Sequence, residues 1–120
     1  MKQYRSFGEF IFDKRHEKRE TLRVVSDKVG ISPGYYGDIE KNRRIPPDDG
    51  FLEKLIRVFF LSEEEQVVLY DLAGKARQEV SPDLPDYIMQ NEYVRVALRL
   101  AKEKANADDW QGFIRNLKDK

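Results

Sequence analysis

The chain has 120 residues, no formal net charge, 40% hydrophobic and 37% charged residues, a balance too apolar for disorder and too charged for a membrane span. The absence of cysteine excludes disulfide staples, thiolate zinc sites and a thiol nucleophile, and a lone His16 leaves no imidazole cluster, so no metal, no cofactor and no enzymatic activity is expected. The neutral sum hides an asymmetry: residues 1–44 hold 11 Lys or Arg against 7 Asp or Glu, while residues 45–120 hold 11 against 15, which suggests one surface that faces a polyanion.

Helical periodicity dominates and no stretch alternates like a strand, so the chain reads as all-α. Tyr4, Phe7, Phe10 and Ile11 recur at helical spacing and predict a first helix ending near Lys18 or Arg19. Thr21 can cap a second helix that carries Leu22, Val25 and Val29, and Gly30 ends it. Ser32 followed by Pro33 marks the start of a short third helix with Tyr36 and Ile39 inward, and Pro46 and Pro47 force a loop after it. A fourth helix runs from about Asp49 to Phe60 with Leu52, Leu55, Ile56 and Phe59 on one face. A fifth opens with Ser62 and Glu65 in capping-box spacing, carries Val68, Leu69 and Leu72, and is expected to stop at Gly74.

Residues 75–86, polar and with Pro82 and Pro85, read as a linker. Beyond it a short helical turn at Asp86–Gln90, a helix from Glu92 to Lys104 with Val94, Leu98 and Ala101 inward, and a last helix opening at Ala107 or Asp108 are expected. Trp110, Phe113, Ile114 and Leu117 form an apolar stripe at i, i+3, i+4 and i+7 of that last helix. Packing on the bundle and packing on a second subunit both explain the stripe; the second is preferred, because the helix lies past a linker and a two-fold operator needs a dimer.

Two short helices joined by Gly30, Ile31 and Ser32 form the helix-turn-helix pattern, in which the second helix enters the DNA major groove. Ser26 suits a close helix crossing, and Glu40, next to an inward Ile39, is expected to pair with a basic residue of the same unit. Glu63, Glu64 and Glu65, like Asp48, Asp49, Asp108 and Asp109, are helix-start residues favoured by the macrodipole and need no catalytic explanation.

The run Phe7-Gly8-Glu9-Phe10-Ile11, Thr21-Leu22-Arg23, Gly30-Ile31-Ser32-Pro33, Tyr36, Ile39-Glu40 and Pro46-Pro47 resembles the Cro-like, XRE-type helix-turn-helix transcription regulators over residues 4–74. The resemblance implies a five-helix bundle of the lambda-repressor-like kind and sequence-specific operator binding, as a dimeric repressor on a palindromic operator. It implies that Pro33, Gly34, Gly37 and Asp38 face base edges and that Arg23, Ser32, Lys41, Asn42, Arg43 and Arg44 lie near phosphates.

Gly37 and Asp38 stand where the family often has Ser, Thr or Arg. Asp38 can accept from a cytosine amino group or repel phosphate, and Tyr35 offers either a hydroxyl or ring surface. The chain is thus expected to divide into a DNA-reading domain, 1–74, and a linker with association helices, 75–120, in a cytoplasmic protein with no membrane partner. The competing interpretation is an antitoxin-like protein whose acidic C-terminal half binds a protein partner and whose DNA binding is autoregulatory.

Overall fold

The computed structural model describes residues 2–120, and the described residues form eight α-helices and no strand. They are α1 (Phe7–Glu17), α2 (Leu22–Val29), α3 (Pro33–Glu40), α4 (Asp49–Val58), α5 (Glu63–Arg77), α6 (Pro85–Gln90), α7 (Glu92–Lys104) and α8 (Ala107–Lys118). The chain divides into two compact units, one ending at Asp83 and the other running Leu84–Lys120.

The starts of α1 to α5 are all set by side chains that take up otherwise free amides. Ser6, Thr21, Ser32, Asp48 and Ser62 accept from the amides of Glu9, Val24, Tyr35, Phe51 and Glu65, and Ser62 with Glu65 closes a full capping box. Gly30 takes the left-handed conformation at φ 77°, where a side chain would be strained, and so ends α2 as expected. The core of the first unit contains Phe10, Ile11, Val25, Tyr36, Ile39, Leu52, Leu55, Phe59 and Leu69, all shut off from solvent, one apolar face from each of α1 to α5. Ser26 is buried where α2 meets its neighbours, its hydroxyl donating back to the Arg23 carbonyl at 2.9 Å.

One expected boundary is corrected. The fifth helix does not stop at Gly74; α5 continues to Arg77 and is ended by Gln78 in the left-handed conformation at φ 58°. Gly74 is there for proximity: a Cβ on it would stand 2.9 Å from the Glu79 carbonyl oxygen and 3.0 Å from the Ser81 amide, because the returning chain crosses over it. The extra turn brings Arg77 over the start of α4, where Nε donates to the Pro46 carbonyl at 3.3 Å and Nη1 to Asp49 at 2.9 Å.

Gly8 is a second proximity glycine. A Cβ there would fall inside the contact shell of the Glu40 carbonyl oxygen and 2.7 Å from Asn42 Oδ1, so α1 touches the end of α3 backbone to backbone. Since the nearest obstructing atom, the Glu40 carbonyl oxygen, is main chain and cannot swing away, Gly8→Ala is expected to cost about 3 kcal/mol, the upper end of ordinary overpacking. A thermal or urea melt showing less than about 1 kcal/mol of loss would contradict this close approach.

Across the bundle, Lys14 of α1 is buried and donates to Glu17 and to Glu65 of the α5 capping box. Burial works against the Lys14 ammonium, but the two carboxylates outweigh it and its pKa rises. The same Lys14 contact, with the Ser62 amide, holds the Glu65 carboxyl below its ordinary range. His16 is exposed, its ring lying on Phe12 with centroids 4.0 Å apart.

The second unit differs in kind. None of α6, α7 and α8 contains a buried residue. Val94 and Ala101, expected inward, are half-buried, whereas Leu98, also expected inward, is exposed, because a single copy of these helices is too thin a layer to enclose a core. The last helix opens with a capping box between Asn106 and Asp109, one residue before Ala107.

Candidate nucleic-acid interface

The candidate recognition surface is built on α2, the turn at Gly30 and α3. Thr21 and Ser32 cap the two helices with their hydroxyl oxygens, which leaves the Ser32 O–H free to donate outward. Arg23, Ser32, Pro33 and Gly34 are exposed, as are Lys41, Asn42, Arg43 and Arg44 after α3. Gly37 and Asp38 are half-buried. A Cβ on Gly37 would meet Leu22 Cδ1 at 3.4 Å, an ordinary contact, so this position turns toward α2 with room for a small side chain.

The loop after α3 is held by its own backbone. Arg43 and Arg44 both donate their amides to the Asp38 carbonyl, at 2.8 and 3.3 Å, and Asn42 takes the left-handed conformation at φ 60° to make that return. The Asn42 side chain is committed internally: Oδ1 accepts from the Gly8 amide at 3.0 Å and Nδ2 donates to Ser6 at 2.9 Å, fastening the loop to the start of α1. The Arg43 guanidinium lies 4.0 Å from the Asp38 carboxylate, an exposed and therefore weak pair. Arg44 stacks on the Tyr35 ring at 5.0 Å, so half-buried Tyr35 is the platform that aims Arg44.

Behind this surface Glu40 meets Arg15 of α1 in a two-pronged pair, Nε to Oε2 at 2.7 Å and Nη2 to Oε1 at 3.0 Å. Arg15 Nη1 also donates to the Glu20 carbonyl at 3.1 Å, so one guanidinium joins α1, the turn before α2 and the end of α3. The Tyr36 hydroxyl is buried beside them without a hydrogen bond, and its pKa is pushed far up by burial first and by the Glu40 charge second. The pairing of Glu40 with a basic residue of the same unit is thus realised. Arg15, Gly8 and Asn42 as its accomplices are not legible from spacing, because they depend on how α1 lies across α3.

A capped α2, a glycine turn, and a capped α3 whose first turn and following basic loop are exposed together make a helix-turn-helix DNA-binding domain. Residues 16–66 match the family model described as Helix-turn-helix, and over that segment the chain is similar to this family. No curated protein and no solved structure matches the chain. The matched segment covers α2, α3 and α4 in full; it begins at the end of α1 and stops within the first turn of α5. No helix among the described residues is long and apolar enough to cross a membrane.

Proposed function

We propose that this chain is a sequence-specific transcriptional repressor that binds a two-fold symmetric operator as a homodimer. Residues 1–74, together with the rest of α5, read the DNA, and the helices of the 75–120 segment hold the two copies together. The observation that carries the dimer is the coreless second unit: Trp110, Phe113, Ile114 and Leu117 are 40 to 54% exposed on one face of α8, and apolar surface of that extent calls for a partner. Residues 84–120 carry 7 Lys or Arg against 6 Asp or Glu, so a second copy meets no strong repulsion. The acidic surplus of the C-terminal half lies in residues 45–83, outside the helices proposed here for association.

In the reading domain, Arg23, Ser32, Lys41, Arg43 and Arg44 contact phosphate, while Pro33, Gly34 and Asp38 lie along base edges. Selecting bound sequences from random duplex DNA tests the reading directly: a palindromic consensus supports it, and no enrichment at low salt removes it. Arg43→Ala with Arg44→Ala is expected to weaken all duplexes about equally and to flatten the log–log salt dependence by about 1.8 per bound chain. Loss of preference at a single base position, with the slope kept, would instead make these arginines base readers.

A further inference from the structure

We infer that the phosphate-binding surface extends beyond the helix-turn-helix into a basic cleft between the start of α1, the loop after α3 and the end of α5, where Arg5 and Lys75 receive the sugar-phosphate backbone of the same duplex. The inference rests on the DNA-binding reading above. The cleft has a volume of about 410 Å³ and lies wholly within the first unit. Four cations line it, Arg5, Arg43, Arg44 and Lys75, and no carboxylate does. All four are exposed, and Arg5, Arg44 and Lys75 form no ion pair among the described residues.

Four like charges gathered in one concavity repel one another, and a polyanion relieves that repulsion. Two of the four belong to the loop that follows the reading helix, so a strand running past that loop passes the mouth of the cleft. The geometry is also preorganised: the Asn42 amide bonds both Ser6 and the Gly8 amide, which fixes the chain just after Arg5 against the loop that carries Arg43. The last turn of α5, locked by Arg77 onto Pro46 and Asp49, holds Lys75 in the lining of the cleft. Sequence patterning did not single out either residue, since they are 70 positions apart and neither lies in a basic run.

The test is Arg5→Ala with Lys75→Ala in the full chain, titrated against a selected duplex and a scrambled one from 50 to 200 mM salt. Both side chains are exposed, so an unchanged helical circular dichroism signal and melt verify folding. The expected result is a salt slope smaller by about 1.8 per bound chain, so that the affinity loss at 50 mM exceeds that at 200 mM by about tenfold, equally for both duplexes. If the wild-type chain binds duplex and the double variant has the same slope and affinity, the cleft is off the DNA path and the inference falls while the DNA-binding reading stands. If wild type binds no duplex, both fall. If the double variant keeps its DNA affinity and inorganic pyrophosphate shifts the amide resonances of residues 5–8 and 42–45 in wild type only, the cleft serves a free phosphate compound and the inference is overturned.

Discussion

Glu40→Ala is expected to remove about 3 to 5 kcal/mol of unfolding free energy, because it leaves the Arg15 guanidinium buried without its counter-charge. The side chains of Arg15 and Glu40 are only 13% and 4% exposed, so water replaces the lost hydrogen bonds poorly. The energy at stake is the cost of an orphaned charge more than the attraction of the pair. The double replacement Arg15→Met with Glu40→Leu is therefore expected to recover most of the loss, while either single change does not. Urea unfolding of the four proteins measures this as a cycle; a single variant within about 1 kcal/mol of wild type would show that the pair is solvated and not structural. Burial is the first cause that pushes the Tyr36 phenol upward, and removing Glu40 takes away the contribution of its carboxylate. Its alkaline titration, followed by absorbance, is expected to move down while staying above an ordinary tyrosine, since burial is the larger cause.

Trp110→Ala with Phe113→Ala is expected to convert a dimer into a monomer whose first unit is still folded. The two rings meet edge to face, with centroids 6.3 Å apart, on the exposed stripe of α8. An aromatic at the centre of an interface typically costs about 2 kcal/mol or more when truncated, so the pair together weakens association by about a thousandfold or more. Operator affinity then falls with it, because each half-site must be held without its neighbour. Sedimentation velocity gives the assembly state, and a melt of the variant reports the first unit, whose buried residues all lie before Leu84. A wild-type chain that sediments as a monomer, or a variant that associates as tightly as wild type, would withdraw the dimer and leave α8 with no partner assigned.

These two changes act on different physical layers. The first breaks a charge network that joins α1, the turn before α2 and the end of α3, next to the loop with Arg43 and Arg44. The second leaves that unit alone and removes only apolar surface that a single chain cannot cover. A chain could lose either without losing the other, which is what makes the DNA-reading and the association proposals separable by experiment.

By itself the sequence determined the local features: an all-α chain, the helix starts at Thr21, Ser32 and Ser62, the glycine turn at Gly30, and the inward faces of α2 to α5. Each of these follows from short-range rules, since a capping hydroxyl, a residue without Cβ and a 3.6-residue period act over a few positions. The resemblance to XRE-type regulators was legible for the same reason, its motifs being that local grammar in a given order. What only the tertiary structure decided involves pairs far apart in the chain. Gly74 looked like a helix end and is instead a place where the returning chain crosses α5. Asn42 lies in the loop where the resemblance implies phosphate contacts, and the fold adds that its side chain ties that loop to α1. Tyr35 left ring and hydroxyl open, and the ring is what supports Arg44. Arg5 and Lys75 carry no local signal, because a charge becomes part of a cleft only when helices from opposite ends of the domain bring it there. The stripe on α8 was visible in the sequence as apolar and periodic, but that no core forms behind it depends on how few layers the second unit has.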